Sequence, residues 1–408
     1  MAGAIAAETL IIGAGFTGLA AARRVAELRP GREVVLLDAQ RAGCGASARS
    51  SGFVVDLAHF VARMEPGPRE RYIALARRGI ADLRAVVAGS DVDCQWDETG
   101  WFHVAHSAAA GASLGMLRRW LEESGERHQW LEREALAELL GCSFYRAGIR
   151  LPGSILVHPG ALVAAMVRAL PAEVLLCEES PVLALEPVKN GVRAITPNGS
   201  VKAERVLLAL NGYSAALAAP TRRVLPLLTF GSLTRPLTAA EQASLPGLRE
   251  WGVLAEDAMG STLRRTRDQR LLIRNTVHYD RCYRVTTAVE DGVREAHRRA
   301  FVARFPSLSA VEFEYSWGGV MGVTPSRTPF FGQLSDRTFS ACGFTGAGIA
   351  MGVSLGARLA ELALGEAGSL LELARAQPRP TLLPPEPFLS IGARFRARGM
   401  NRSAGPAI

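Results

Sequence analysis

The chain has 408 residues, of which 48% are hydrophobic and 21% charged, with a formal net charge of +8. These proportions exclude a disordered chain and leave room for one to three domains with a sizeable core, while no apolar run reaches the roughly 18 to 20 residues of a membrane span. Six cysteines (Cys44, Cys94, Cys142, Cys177, Cys282 and Cys342) form no C-x-x-C pair, which argues for reduced thiols rather than disulfides or a zinc site, and no metal is expected.

The N-terminal "MAGAIAAETL" lacks the charged opening of a secretory signal and leads into a strand, so a cytoplasmic location is expected. Residues 8–14, "ETLIIGA", are a short apolar run ending in glycine and predict a buried strand. A helix follows over 15–28, and "EVVLLDA" (33–39) predicts a second buried strand, so the chain opens with a βαβ unit. Apolar positions 72, 75, 76, 79, 83, 86 and 87 predict a helix over 69–88. "GWFHVA" (100–105) predicts a strand, and "LRRWLEESGE" and "EREALAELL" predict helices. "EVLLCE", "PVLALEPV", "GVRAITPNG" and "ERVLLALNG" turn the pattern to β, with Asn190-Gly191 and Asn198-Gly199 as turn signals for a small meander across the nucleotide domain. Strands and one helix (about 289–304) alternate over 221–316. After "YSWGGVMGVTPSRTPFFGQL" come a short strand and a helix opened by "GFTGAG" (343–348). Beyond 376, "AQPRPTLLPPEP" reads as a proline-rich linker ending in a short basic segment.

Lys189 and Lys202 are the only lysines among 47 basic residues, and the arginines fall singly or in pairs. Without a basic run of five to eight residues, nucleic-acid binding is not expected, and the positive charge favours an anionic substrate or an acidic partner.

The first glycine turn carries a specific signal. Gly13-Ala14-Gly15-Phe16-Thr17-Gly18 fits G-x-G-x-x-G between a strand and a helix, where the glycines allow a tight turn, close approach to a pyrophosphate and close helix packing. The helix N-terminus presents N–H groups to that anion. Asp38 ends the second strand 20 residues after Gly18, placed to accept ribose hydroxyls, with Ala39 beside it. NAD and FAD both fit this pattern. The next segment, "RAGCGASARSSG" (41–52), favours FAD: its small residues and hydroxyls (Ala46, Ser47, Ser50, Ser51), with Arg41 and Arg49, suit a loop beneath an isoalloxazine and beside the pyrophosphate.

With "IIGAGFTGLAAA", "GCGASARSSG", "HPGALV" (158–163), "RVLLALNGY" (205–213), "LRRTRDQRLLIRN" (263–275), "WGGVMGVTPSRTPFFG" (317–332) and "GFTGAGIAMG" (343–352) in this order, the chain resembles the D-amino-acid oxidase family of FAD-dependent amine oxidoreductases. That group includes glycine and sarcosine oxidases, and the likeness is strongest to its γ-glutamylputrescine oxidase branch. The resemblance implies an α/β fold, in which a Rossmann-type FAD-binding domain (1–85, 145–220 and 317–375) is interleaved with an α+β substrate domain built on an antiparallel sheet (86–144 and 221–316), followed by a tail (376–408). It implies that Val182 meets the adenine through its backbone and that Asn211-Gly212 ends a strand beneath FAD. It further implies that the second turn (Gly343, Thr345, Gly346, Ala347, Gly348, Ile349) aims a helix N-terminus at the pyrimidine end of the flavin, where Gly346, Ala347 and Gly348 stabilise charge arising on reduction. Arg264 aligns with a family strand arginine facing flavin or substrate, and Trp317 is expected near the ring.

Two departures from the family pattern stand out: Ala347 occupies a position where family members often carry histidine, and neither lysine matches the one that activates oxygen in sarcosine-oxidase-like members. His278 and Tyr279 fall just after a strand, either lining the pocket or packing structurally, and His158 reads as structural. The loop 41–52 lacks histidine and 317–332 lacks cysteine, so FAD is expected to be held without a covalent bond. The expected reaction is oxidation of an amine or amino acid by transfer of the α-carbon hydrogen as hydride to flavin N5, giving an imine that water hydrolyses. Oxygen, a partner protein or a quinone is the expected acceptor. Oxidation of an α-hydroxy acid, or an FAD-bound subunit passing electrons to a partner, are the alternatives.

Overall fold

The computed structural model describes residues 3–217, 222–256 and 260–403. Two eight-stranded sheets organise the chain. In the first, the strands Thr338–Cys342, Gly199–Leu208, Gly3–Ile12, Val34–Leu37 and Val174–Cys177 lie side by side in parallel. All four residues of Val34–Leu37 are buried, as expected of an apolar strand covered on both faces. Phe330–Ser335 closes one edge antiparallel, and the hairpins of Ala184–Val188 and Gly191–Thr196 fold back onto Gly199–Leu208. "EVLLCE", expected in the meander, instead supplies the edge strand Val174–Cys177 beside Val34–Leu37.

Two helices pack on this sheet and a third packs on them. The first (Phe16–Leu28) lies against a late helix (Gly348–Leu364), which in turn meets the long helix Pro66–Ala88. These contacts are at backbone distance. A Cβ on Gly356 would stand 2.2 Å from the Thr17 carbonyl oxygen, and one on Gly79 would stand 1.9 Å from that of Ala350. Every residue from Ile349 to Glu361 is buried, so this is a core helix. Among the described residues, no single helix is long and apolar enough to cross a membrane.

The second sheet runs Phe313–Val323, Leu225–Thr234, Leu271–His278, Thr262–Arg265, Trp251–Ala255, Trp101–Ala105, Ala147–Leu151 and Gln129–Glu132. Its pairs are antiparallel except Trp251–Ala255 with Trp101–Ala105, which is parallel. Ala147–Leu151 and residues 317–323, expected with the nucleotide sheet, pair within this second sheet. The segment beyond 376 also departs from the linker expected: Phe388–Ser403 is a helix docked on Leu271–His278, with Ala393 and Ala397 buried and the Asn401 amide bonded to both the N–H and the C=O of Val277.

The helix Thr287–Arg304 packs on the second sheet through His297, which is fully buried with its Nδ1 2.7 Å from the Ser232 hydroxyl. Burial pushes this imidazole down to about 4, against a smaller opposing pull from the Asn275 backbone. Above pH 6.5 His297 is neutral in folded and unfolded chain alike. As pH falls from 6.5 toward 4, only the unfolded state takes up the proton, so stability is lost in that window. Urea unfolding at pH 7.5 and 5.0 is expected to show this loss, and His297→Asn to reduce its slope; an unchanged slope in the variant would rule the histidine out as its source.

Candidate active site

A cavity of about 780 Å³ lies between the two sheets, at the end of the parallel strands where the first and late helices begin. Its nucleotide end is built by the opening βαβ unit. Gly15 caps the first helix, and Ala14 N–H donates to Asp38 Oδ2 (2.7 Å) and Gln40 N–H to Asp38 Oδ1 (2.8 Å). Burial raises the Asp38 carboxyl above its ordinary value, and these two donors oppose that rise. Each carboxylate oxygen has further acceptor capacity facing the cavity. Ser47 closes the loop over the helix start, its Oγ accepting from Phe16 N–H at 3.2 Å. A Cβ on Gly15 would stand 2.7 Å from that oxygen, so glycine here is what lets the Ser47 hydroxyl reach the helix N-terminus. A helix start and a hydroxyl suit a dinucleotide pyrophosphate, and a carboxylate acceptor beside them suits ribose hydroxyls.

The second turn is equally specific. Thr345 and Gly346 have φ of +51° and +88°, and Ala347 N–H returns to Phe344 O at 3.1 Å, closing a turn with two left-handed central residues. Gly346 therefore carries the conformational demand. Gly348 does not have left-handed φ; it is the first residue of the late helix. Because the Ala347 N–H is spent inside the turn, the donors left at the helix start are those of Gly348, Ile349 and Ala350, the first two on residues that line the cavity. Asn211 holds the turn in place by accepting from Gly343 N–H through Oδ1 at 3.0 Å.

Between these ends, Trp317 and Arg49 stitch the second sheet to the loop 41–52: Trp317 Nε1 donates to Arg49 O (3.0 Å) and Arg49 Nη1 to Gly318 O (2.9 Å). Of the expected site residues, the cavity wall brings together Gly13, Gly15, Phe16, Thr17, Asp38, Ala39, Ala46, Ser47, Arg49, Ser50, Ser51, Val182, Asn211, Trp317 and Thr345 to Ile349. Gly18, Gly212 and Gly343 stand behind it, and Arg41 is off the wall and exposed. A Cβ on Gly18 would lie 1.7 Å from Gly13 O, and one on Gly212 2.7 Å from Val320 Cγ1, so both act through packing.

Arg264, expected to face flavin or substrate, does not line the cavity. It is 3% exposed, and its Nη1 donates to the carbonyls of Val157 and Ser51. Burial lowers it to about 10, outweighing the pull of nearby acids. Its role is to brace the loop that supports the cofactor end. His278 and Tyr279 are also off the wall; Tyr279 is buried with its hydroxyl 3.3 Å from Ser390 Oγ. His158 caps the helix Pro159–Arg168, accepting from Ala161 N–H.

The other end of the cavity is lined by His59, Arg63, Trp101, Glu256, Thr262, Arg274, Arg327 and Met400, none of them in the two glycine turns. Glu256 accepts from the His103 ring (Nδ1, 2.6 Å), the Ser113 hydroxyl (3.0 Å) and Arg63 (3.4 Å). Burial pushes this carboxyl up, but the bond to His103 and the neighbouring donors outweigh it and bring it down to about 2. His59 lines the cavity and is exposed to its open space. Burial lowers it to about 4 against the pull of Glu256, with Arg274 and Arg327 lowering it further. One signal for Arg274 was present in the sequence: it interrupts the apolar run of "LLIRN", an ionisable residue in an otherwise buried strand.

A parallel nucleotide-binding sheet, two helix starts aimed into one cavity and a separate sheet roofing it define an α/β flavoprotein. Residues 8–362 match the family described as FAD dependent oxidoreductase (DAO), and the chain belongs to that family; it is an FAD-dependent oxidoreductase. It is 31% identical to a probable oxidoreductase, OrdL, of Rhizobium meliloti, over 91% of this chain and 86% of the relative. It is 25% identical to the gamma-glutamylputrescine oxidoreductase of Escherichia coli, over 89% and 85%. Glycine oxidase from Geobacillus kaustophilus has the same fold, with a TM-score of 0.76, 22% identity and 90% and 96% coverage.

Asp38→Ala is expected to weaken FAD binding by about 1.5 to 3 kcal/mol, the scale of hydrogen bonds to a charged group, or about ten- to a hundredfold in Kd. Titration of apoprotein with FAD, followed by flavin fluorescence, measures this; an unchanged Kd would show that Asp38 only braces the turn.

Proposed function

We propose that the protein oxidises an amine-bearing carbon in a molecule that also carries a carboxylate. The observation that supports this is the pair Arg274 and Arg327. Both line the cavity, burial lowers both guanidiniums, and among the described residues neither has a carboxylate partner. The nearest polar contact of Arg274 is the Thr262 hydroxyl at 3.5 Å. Desolvated cations without counter-charges are costly, and a substrate carboxylate supplies the missing charge through bonds Arg makes well.

The same surroundings bear on the amine. His59, neutral at pH 7, can accept a hydrogen bond from the amine but is too weak a base to take the proton of an ammonium group, which leaves to solvent. The cations Arg63, Arg274 and Arg327 favour the uncharged amine, the form that can give up hydrogen from its carbon. Bound FAD supplies the two-electron acceptor. Gly348 and Ile349 offer their N–H groups to negative charge that develops on reduction. On this reading FAD is held non-covalently, and Cys44 and Cys342 lie off the cavity wall.

Arg274→Ala and Arg327→Ala are expected to raise the amino-acid concentration giving half-maximal flavin reduction about ten- to a hundredfold, from the loss of about 1.5 to 3 kcal/mol per charged hydrogen bond. Anaerobic rapid mixing against primary and secondary amines, amino acids and α-hydroxy acids measures it. Bleaching by hydroxy acids but not amines would overturn the reading.

Gly346→Val acts at the other end of the cavity by denying the turn its left-handed φ. Flavin reduction is expected to slow about a hundred- to a thousandfold, the scale for losing one oxyanion-hole donor, with FAD affinity retained through Asp38. A folded, FAD-loaded variant with unchanged rate and redox potential would reduce the turn to packing.

A further inference from the structure

We infer that the outer face of the C-terminal helix Phe388–Ser403 docks on an anionic lipid surface. The helix has two faces of different kinds. Its inner face, with Ala393, Ala397 and Asn401, is fixed to the second sheet. Its outer face carries Phe388, Ile391 and Phe395, which are 68%, 64% and 81% exposed. Spacings of three and four residues place them on one stripe. With Leu382, this short stretch holds four of the eight large hydrophobic side chains exposed among the described residues, a cluster rather than the scattered singles of an ordinary surface.

The charge on the helix decides the occupant. Phe388–Ser403 contains four arginines and no acid. Arg394, Arg398 and Arg402 stand four apart and form a row on one flank of the stripe, and Arg396 stands on the other. All four are exposed, and none forms an ion pair among the described residues. Aromatic and branched apolar side chains between rows of arginine, on a helix anchored by its opposite side, are the pattern that lies in the plane of a bilayer interface. A second copy of this helix would bring like charges together and is disfavoured. Acidic headgroups satisfy the arginines while the apolar stripe enters the acyl boundary. The docked helix also sits at the active site: Met400 lines the cavity, and the Val277 that Asn401 holds lines it too. Docking therefore presents this wall of the cavity to the membrane.

Sedimentation of the FAD-loaded full chain with vesicles tests this. The protein is expected to partition onto phosphatidylcholine vesicles containing about a third phosphatidylglycerol, to do so less as salt rises, and to leave pure phosphatidylcholine nearly unbound. R394Q/R398Q/R402Q is expected to lower partitioning about a hundredfold, and F388S/F395S at least about tenfold. Both variants should retain helical circular dichroism and the wild-type rate of flavin reduction in solution, which separates loss of docking from loss of fold. No partitioning of wild type onto the acidic vesicles, equal binding to neutral ones, or wild-type binding by both variants would overturn the proposal. So would a wild-type dimer that F388S/F395S converts to monomer, because the stripe would then be a contact between copies.

Discussion

The first helix and the late helix touch backbone to backbone, and the site depends on that contact. Gly352 and Gly356 face Thr17, where any side chain would collide with its hydroxyl or carbonyl. The closeness brings two helix N-termini to one cavity, although like ends of two dipoles repel. Packing of a wholly buried late helix supplies the force that holds them together. The result is a field that favours anions at two separate points of the cavity, which on the proposed reading serve a fixed pyrophosphate and charge that comes and goes with reduction. The cavity's two acids do not cancel it. Asp38 is occupied in part by backbone donors, and Glu256 is bound to His103, Ser113 and Arg63.

The part of the site made by local geometry was legible in the sequence. A strand, a glycine turn and a helix are contiguous, so Gly13 to Thr17, Asp38 and the serine loop could be placed from spacing alone. The substrate wall comes from at least six separate stretches, and its residues meet only through tertiary register. Arg264 and Arg274 illustrate the limit. They lie on adjacent antiparallel strands, and the pairing sets Thr262, not Arg264, opposite Arg274. Nothing in "LRRTRDQRLLIRN" shows which arginine reaches the cavity and which turns to the carbonyls of Val157 and Ser51. The C-terminal helix was hidden for a related reason. Prolines precede it and arginines crowd it, and what holds it is a sheet edge more than a hundred residues earlier in the chain.

The division of labour between the two ends has an evolutionary reading in physical terms. The cofactor end needs glycines and small hydroxyls at fixed places because backbone groups do the binding. The substrate end uses side chains on strands and loops whose backbones already have their partners. Replacing Arg274 or Arg327 alters charge in the pocket without touching the turns that grip FAD. On the proposed reading, chemistry and specificity are carried by different kinds of group, so the second can change without disturbing the first.

The reciprocal bonds between Trp317 and Arg49 bear on how the molecule can move. Each residue donates to the other's stretch of backbone, so the seam between roof and floor is fastened at two points a few ångströms apart. Arg49 is further tied to the carbonyl of Cys44. Levering the two sheets apart along that line would break both seam bonds together, while the bond to Cys44 holds Arg49 in place within its own loop, which makes the seam a poor place for a hinge. Traffic into the cavity is then cheapest at the rim away from this seam, through shifts of individual side chains and loops. The molecule behaves mechanically as a box with one fixed edge, breathing at the opposite side.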